Sequence, residues 1–247
     1  MLHRAGTRMA SDAFARSPGE RWLAIVPMKR HSERVPGKNI RRLAGEPLFF
    51  WILQTLSQVD AIGRIVVDTD GEEIAAAVRQ RFHVDVSMRP EALRGDFVPT
   101  NDLIRHVLSQ FPQHHRVVQT HATNPLLRPE TVHDAIRRFE AQDACDSLFS
   151  VTRLQTRLYD ANGMAVNHDP ARLLRTQDLS PLFEENSNLY LFTRKSFAQT
   201  GSRIGRRPLL FEMGKLEALD IDEESDFLLA ETLMSSAALA RVASSPV

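Results

Sequence analysis

The sequence predicts an α/β fold with a mostly parallel sheet and helices on both of its faces. Short apolar runs alternate with helical patterns along most of the chain, and the connections between them are short. The apolar runs are nearly continuous, as in strands that are covered on both faces. A chain of 247 residues is long enough to bury such a core in one domain.

The first strand is predicted at Trp22 to Val26, where an apolar run stops at Pro27. Pro47 then marks the start of a helix with apolar residues on nearly every face, which indicates burial on several sides. The next elements are predicted in this order: a strand at 63–70, a helix at 71–82, a strand at 84–90, a helix at 101–111, a strand from 116, a helix at 130–142 and a strand at 146–154. The crossovers between the parallel strands are expected to be right-handed.

The alternation breaks over residues 152–185, a segment rich in Asn, Asp, Pro and Arg, and a protruding lobe is expected there. A strand and a helix follow in NSNLYLFTRKSFA, and LEALDIDEESDFLLAETLMSS predicts a last strand, an acidic turn and a closing helix. The domain is predicted to span residues 21–240, with a flexible extension at 1–20 and a short tail at 241–247.

Composition excludes several classes of function. The formal net charge is zero, so nucleic acid and membranes are not expected partners, and any anion site must be local. Cys145 is the only cysteine, which rules out an internal disulfide and argues against a cysteine-based zinc site. No apolar run approaches the roughly 20 residues that cross a bilayer, and no signal-peptide core is present. A cytoplasmic protein is expected.

A basic loop, residues 28–40, follows the first strand. It carries Lys29, Arg30 and Lys38, with Ser32 and Gly37 allowing close approach of a ligand to the backbone. Loops in this position bind phosphate groups in open parallel sheets. The loop is not a Walker motif, which would need Gly at 32 and Ser or Thr at 39, and the chain has no G-x-G-x-x-G.

The motifs resemble, in their order, the cytidylyltransferases that activate acidic sugars, of the N-acylneuraminate type. Ser32 and the P-x-K-N pattern of Pro36, Lys38 and Asn39 match the basic loop of that family. The resemblance continues through IVVDTDGEEIA, RPEAL with DFVPT, HATNPLLRPE, FEENSNLYLF and LDIDEESDFLLAE, and so covers about residues 22–235.

The resemblance implies a Rossmann-like nucleotide-binding fold, a small dimerisation lobe and a homodimer. It implies transfer of CMP from CTP to a small acidic sugar, with Mg²⁺ as cofactor. The residues implied at the site are Lys29, Arg30, Ser32 and Lys38 for the phosphates; Asn39, Arg89 and Thr100 for the rest of the nucleotide; His121 and Asn186 for the sugar; and Asp220 and Asp222 for the metal. Arg175, in the arginine-rich lobe, is expected to bind the sugar carboxylate from the partner subunit, because Glu184 stands where the family often has Arg. Lys29, Lys38 and Asp222 are the residues expected to take part in catalysis.

The two acidic residues can also be read from spacing. If Asp220 and Asp222 lie on a strand, both carboxylates face one side, and Ile221 faces the core. Two such oxygen donors leave positions on Mg²⁺ for phosphate oxygens and water. The alternative is that these acids only cap the helix that begins near Glu223.

Some positions depart from the family pattern. Lys29 replaces a frequent Arg and loses its two-pronged geometry, and Glu33 adds a negative charge to the loop. Near Asn186, Glu184 stands where sialate-specific members often have Arg, and Ser187-Asn188 replaces Gly-Ala. The acceptor sugar therefore stays open, as does the base, Asp222 or a metal-bound hydroxide. Two other functions stay open: a sugar-1-phosphate nucleotidyltransferase and a catalytically silent nucleotide-sugar-binding protein.

Overall fold

The computed structural model describes residues 20–235. Its strands are β1 (Trp22–Met28), β2 (Arg42–Leu43), β3 (Glu46–Pro47), β4 (Ile62–Thr69), β5 (Asp85–Met88), β6 (Arg116–Gln119), β7 (Ser147–Leu154), β8 (Leu182–Thr193) and β9 (Pro208–Glu212). The central sheet has seven strands in the order β5-β4-β1-β6-β8-β7-β9. Neighbours run parallel except at β8, which is antiparallel to both β6 and β7. The prediction of a mostly parallel sheet is confirmed.

The helices are α1 (Leu48–Ser57), α2 (Glu72–Arg81), α3 (Thr100–Gln110), α4 (Pro129–Glu140), α5 (Arg194–Thr200) and α6 (Glu224–Ser235). They cover both faces of the sheet, as predicted. Ala24 and Val26 of β1 pack with residues of α1, α2 and α4, whereas Leu23 and Ile25 pack with residues of α3 and α5. Successive strand residues point to opposite faces, so a continuous apolar run serves two helical layers.

Strand β1 runs through Pro27, where the sequence predicted its end. The backbone oxygen of Ile25 accepts a hydrogen bond from the backbone N–H of Thr120, just beyond β6. The backbone polar groups of Ile25, and of Pro27 two residues later, therefore point toward β6. Strand β6 pairs with β1 only as far as Ile25. Pro27 therefore lacks its N–H at a place where no neighbouring strand would accept from it.

The last strand was predicted wrongly. No strand is present around Asp220 and Asp222, which lie in a segment without regular secondary structure, and the ninth strand of the described chain is β9 instead. Strand β9 pairs in parallel with β7, from Pro208 opposite Ser147 to Glu212 opposite Val151. A short hairpin, β2–β3, was also missed; it ends at Pro47, which stands directly before α1.

The long connection between β7 and β8, residues 155–181, is called the arm. It contains one short helical turn, Thr176–Asp178, and an isolated bridge between Tyr159 and Ala165. The predicted bounds of the lobe, 152–185, include residues at each end that belong to β7 and β8. A role of the arm in dimerisation stays a prediction.

The predicted extension at 1–20 lies outside the described residues except for Glu20, and the predicted tail at 241–247 lies wholly outside them. Within residues 20–235, no helix is both long enough and apolar enough to cross a membrane.

Candidate active site

A cleft opens at the carboxyl edge of the sheet, around the loops that follow β1, β5 and β6, and its volume is about 320 Å³. Ligands of open parallel sheets bind at this edge, because loops and helix N-termini converge there. The cleft is lined by the following residues that the sequence predicted for the site: Lys29, Ser32, Lys38, Asn39, Arg89, Thr100, His121, Asp220 and Asp222. Residues from five separate stretches of the sequence thus meet in one place.

The basic loop is held in shape by a tight turn. Gly37 has a φ of 63°, in the left-handed region that a glycine adopts at little cost. The turn buries Lys38 and Asn39, which follow it directly. Asn39 Nδ2 donates to the backbone oxygen of Lys29 at 2.8 Å. The amide of Asn39 therefore ties the two ends of the loop together.

Lys38 connects the basic loop to the acidic segment. Its Nζ donates to the backbone oxygen of Ile221 at 2.5 Å and lies 3.6 Å from Asp222 Oδ1. Burial lowers the pKa of Lys38, and the negative charges of Asp222 and Asp220 oppose that shift. A phosphate group entering the cleft would meet an ammonium that is already positioned.

The acidic segment is anchored by Ile221. Its backbone N–H donates to the oxygen of Thr123, just after β6, at 2.9 Å, and its side chain is fully buried against Phe227 of α6 and its neighbours. Ile221 therefore faces the core while Asp220 and Asp222 line the cleft. The expected alternation holds, although the segment is not paired in a sheet. Asp226, not Asp222, accepts from the backbone N–H groups of Asp222 and Glu223 at the start of α6.

The two carboxylates have different surroundings. Burial raises the pKa of Asp220 to about 6, even though a hydrogen bond with the Thr123 side chain opposes the shift. The Oδ1 atom of Asp220 is buried and has no hydrogen-bond partner. Asp222 is half-exposed, and its Oδ1 lies 2.8 Å from Arg34 Nη2.

This pair of acids fits a hard divalent cation. A buried carboxylate oxygen without a donor is costly unless a ligand supplies positive charge. Among residues 20–235, no group of three or more His, Cys, Asp and Glu side chains is placed to hold a metal ion. Mg²⁺ is commonly held by one or two carboxylates together with substrate phosphates and water, and Asp220 and Asp222 match that donor set.

Arg89 occupies the β5 side of the cleft. Its Nε donates to Asp68 Oδ2 at 2.6 Å, and its backbone N–H donates to the oxygen of Thr69 at 2.8 Å. Both side chains of the Arg89–Asp68 pair are almost fully buried. Arg89 is therefore fixed in one orientation at the carboxyl ends of β4 and β5. Thr100 begins α3 beside it in the lining.

Lys29 is paired with an acid that the sequence reading did not single out. Its Nζ lies 2.6 Å from Asp96 Oδ1, and this hydrogen bond lowers the pKa of Asp96. Both groups line the cleft. An entering phosphate would therefore compete with Asp96 for Lys29.

Three further polar residues of the lining were not among the predicted site residues: Thr123, Ser187 and Arg203. Arg203 lies far along the chain in a turn rich in Gly, Ser and Arg, and no motif marks it. Its Nη1 donates to Gln119 Oε1 at 2.5 Å, and its guanidinium carbon lies 3.5 Å from the ring centre of Tyr190. Ser187 has a φ of 58°, an uncommon value for a residue with a side chain, and it stands where the family pattern has Gly.

His121 lies between Gln119 and Arg203. Its Nε2 is 3.1 Å from Gln119 Nε2 and 3.5 Å from Arg203 Nη1, which are both donors, so Nε2 accepts and the ring is neutral. Burial, with the positive charges of Arg203 and Lys38 adding to it, lowers the pKa of His121 to about 3. At neutral pH this side chain supplies an acceptor.

Three predicted residues do not line the cleft of this chain. Arg30 points away, with Nε 2.8 Å from Glu73 Oε1. Asn186 is buried and bonds to the hydroxyls of Ser150 and Thr152, so it supports β8 beneath its neighbour Ser187. Arg175 lies on the arm and is paired with Asp178 at 2.7 Å. Their predicted roles stay predictions.

Comparison with known proteins finds a matching family. Residues 23–240 match the family described as cytidylyltransferase. N-acylneuraminate cytidylyltransferase A of Danio rerio is 29% identical over 215 residues, which cover 84% of this chain and 49% of the relative. The chain thus spans about half the length of that relative and of the N-acylneuraminate cytidylyltransferase of Escherichia coli, of which it covers 51%.

One relative is matched along nearly its whole length. CMP-N,N'-diacetyllegionaminic acid synthase of Legionella pneumophila is 30% identical over 229 residues, which cover 87% of this chain and 96% of the relative. Among solved structures, a CMP:2-keto-3-deoxy-manno-octonic acid synthetase complexed with CTP superposes with a TM-score of 0.65 at 16% identity. The superposition covers 87% of this chain and 98% of that one, and supports the fold.

Proposed function

Because the chain belongs to the cytidylyltransferase family, we propose that it transfers CMP from CTP to the anomeric hydroxyl of a sialic-acid-like 2-keto sugar acid. The observation that carries this proposal is the meeting of the basic loop and the acid pair in one cleft, with Lys38 Nζ 3.6 Å from Asp222 Oδ1. Two relatives are named for N-acylneuraminate and for CMP-N,N'-diacetyllegionaminic acid, and these names support the choice of an acidic sugar as acceptor.

In the proposed reaction the anomeric oxygen attacks the α-phosphorus of CTP in line. The bond from that phosphorus to the bridging oxygen of the β-phosphate breaks, and pyrophosphate leaves. Lys38 and Lys29 bind the phosphate oxygens and offset the charge that develops on pyrophosphate. To bind phosphate, Lys29 breaks its ion pair with Asp96. Fixed charges and positioning provide most of the acceleration in transfers of this kind.

Asp220 and Asp222 are the proposed ligands of Mg²⁺, on the basis of the unpartnered Asp220 Oδ1 and the half-exposed Asp222. When bound, Mg²⁺ would neutralise phosphate charge at the reacting centre. Asp222 would exchange its contact with Arg34 for the metal, which frees Arg34 and Lys38 to face the triphosphate. The proton of the anomeric hydroxyl passes to the carboxylate of Asp222, one of the two bases that the sequence left open.

Nucleotide choice is assigned to the β5 side of the cleft. Arg89 and Thr100 follow β5, Asn39 also lines the cleft, and both Arg89 and Asn39 are held by hydrogen bonds within the protein. Polar groups fixed in this way discriminate well, because a mismatched base leaves them unpaired. CTP is expected to be used in preference to UTP, ATP and GTP.

We further propose a homodimer that forms through the arm, in a cytoplasmic setting where CTP is available. The arm exposes these large apolar side chains: Tyr159, Met164, Val166, Leu173 and Leu174. An exposed apolar group on a protruding segment is typical of a protein–protein contact. Arg175, next in sequence to Leu174, would reach the partner's acceptor site.

A pyrophosphate-release screen tests the proposed function. The assay contains CTP, Mg²⁺ and, one at a time, N-acetylneuraminic acid, N,N'-diacetyllegionaminic acid and 2-keto-3-deoxy-manno-octonic acid. We expect release with at least one acid, a CMP-sugar product and loss of activity with EDTA. Release with sugar 1-phosphates and none with the free acids would contradict the proposal, as would equal use of ATP and CTP.

A further inference from the structure

We propose that Arg203 binds the carboxylate of the acceptor sugar, an inference that rests on the proposed function. Arg203 lines the cleft, and its side chain is 17% exposed. It was not among the residues that the sequence motifs pointed to. The turn that carries it is fixed to α3, because the backbone N–H of Arg203 donates to Asn101 Oδ1 at 3.1 Å.

The first argument is charge. The other cationic residues of the cleft lining are Lys29, Lys38 and Arg89. Lys29 and Arg89 each have a carboxylate oxygen at 2.6 Å, and Lys38 lies between two acids and a backbone oxygen.

Arg203 is different, because the groups within hydrogen-bonding distance of its guanidinium are neutral. Gln119 accepts from it at 2.5 Å, and the Tyr190 ring covers one face of the guanidinium. The carboxylate oxygen of Glu185 is 3.7 Å away, beyond hydrogen-bonding distance, and it already accepts from the Tyr190 hydroxyl at 2.5 Å. A buried guanidinium that has no hydrogen-bonded counter-ion is a ready site for an anion.

The second argument is orientation. Stacking on Tyr190 fixes the plane of the guanidinium, and the bond to Gln119 fixes its rotation within that plane. His121 Nε2, a neutral acceptor 3.5 Å from Nη1, adds a second neutral neighbour on the same side. A carboxylate is planar and is matched by two parallel N–H groups of an arginine, so a guanidinium held in one plane selects for that shape.

The third argument is position along the sheet edge. Gln119 ends β6 and is paired with Tyr190 of β8, so Arg203 stands over β6 and β8. Arg89 stands over β4 and β5, on the other side of β1. The basic loop follows β1, between these two arginines. If the base of CTP binds near Arg89 and its phosphates bind the loop, the acceptor has to lie on the Arg203 side.

This inference differs from the prediction that Arg175 binds the carboxylate from the partner subunit. In this chain Arg175 is exposed, lies outside the cleft and is paired with Asp178 at 2.7 Å. Arg203 already lines the site. The two predictions are separated by changing each arginine in turn.

The test uses Arg203→Gln, Arg203→Lys and Arg206→Gln. Arg206 is exposed on the same turn and does not line the cleft, so its variant controls for charge and for disturbance of the turn. Acid binding is measured by calorimetry with an unreactive CTP analogue present, so that the result does not depend on turnover. N-acetylneuraminic acid is the first probe, and the other acids of the screen follow. Each variant is checked for folding by thermal unfolding.

We expect Arg203→Gln to weaken acid binding by on the order of 10- to 100-fold, the worth of hydrogen bonds to a charged group, with binding of the CTP analogue unchanged. Arg203→Lys should recover part of the loss, and Arg206→Gln should behave as wild type. The carboxamide of the same sugar should bind the wild type and Arg203→Gln with similar affinity, because the charge that Arg203 recognises is absent. This last comparison distinguishes carboxylate binding from a purely supportive role.

The proposal is overturned if the acid binds the wild type and Arg203→Gln with equal affinity, or if no acid of the panel binds. It is also overturned if Arg203→Gln weakens binding of the carboxamide as much as binding of the acid. It is also overturned if only Arg175→Ala weakens acid binding. The proposed function fails separately: acids would then bind the wild type without any release of pyrophosphate.

Discussion

At the scale of single residues, Asp222 combines exposure with a position that the chemistry needs. We predict that Asp222→Asn lowers kcat by on the order of 10²- to 10³-fold, because a charged contact to the reacting centre is lost. The fold should persist, since the side chain is half-exposed and the lost ion pair with Arg34 is worth less than about 1 kcal/mol. Steady-state kinetics across Mg²⁺ concentrations and thermal unfolding measure the two effects.

Glu223→Gln is the matched control for that variant. Glu223 is the next residue, is exposed, and is absent from the cleft lining. Its kinetics should equal those of the wild type. Wild-type kinetics of Asp222→Asn at limiting Mg²⁺ would remove Asp222 from the metal site.

His121 carries a prediction about pH. Its pKa is lowered from 6.5 to about 3 in the folded chain, so between these values the unfolded chain binds a proton that the folded chain does not. Stability is therefore lost as pH falls below 6.5, by about 2 kcal/mol at pH 5. His121→Gln keeps an acceptor oxygen for Gln119 and Arg203 but cannot be protonated, so it should lose less stability on going from pH 7 to pH 5.

Urea unfolding at the two pH values measures this difference. His133→Gln serves as the control, because His133 is exposed on α4. A His121→Gln variant whose stability falls with pH as steeply as that of the wild type would show that His121 is protonated in the folded chain.

At the scale of elements, the turn at Gly37 sets the position of Lys38 and Asn39. A left-handed conformation destabilises a residue with a side chain by about 1–2 kcal/mol. Replacing glycine by alanine also makes the unfolded chain less flexible, which stabilises the fold by about 0.4–1 kcal/mol. Gly37→Ala should therefore lower stability by about 1 kcal/mol. It should also lower kcat/KM for CTP, because the turn holds the phosphate-binding lysine.

Gly214→Ala is the matched control for the turn. An added Cβ meets no atom within 4 Å at either glycine, and only Gly37 has a positive φ. Chemical denaturation should show no loss of stability for Gly214→Ala. Equal stability of the two variants would mean that the left-handed turn is not required.

At the scale of the whole molecule, the proposed dimer depends on the arm. Leu173 is 76% exposed there, and Leu173→Asp should shift the protein toward monomer in light scattering, because it places a charge in an apolar contact. Leu228→Asp is the control, since Leu228 is 65% exposed but lies on α6. A wild-type chain that is monomeric and fully active would contradict the proposed dimer.

Complementation tests whether the sites are shared between subunits. If Arg175 reaches the partner's cleft, Arg175→Ala should raise KM for the acid more than KM for CTP. Mixing it with Asp222→Asn should restore part of the activity, because one site of the mixed dimer keeps both residues. A mixture whose activity is only the sum of the two variants' separate activities would argue against a shared site.

Most of the fold was predictable because its signals are local. Continuous apolar runs and helical periodicity lie within single elements, so they indicated β1 to α4, apart from the β2–β3 hairpin, with small errors at the ends. The predicted strand at Asp220 failed because pairing depends on a neighbour: β7 is paired with β9 at that edge, and the acidic segment is held by Thr123 and α6 instead. The alternation of Asp220, Ile221 and Asp222 survived, since Ile221 packs in the core while both acids line the cleft.

The sequence by itself determined the α/β alternation, the basic loop and the acid pair, because each is written in adjacent residues. Only the tertiary structure decided which charges are already paired and which are free to bind. Arg203 reached the cleft through contacts with Gln119 and Tyr190, which lie 84 and 13 residues away in the chain. Arg30 lies outside the cleft because it is paired with Glu73. Side-chain partners are chosen by the packing of distant strands and turns, and no local pattern records that choice.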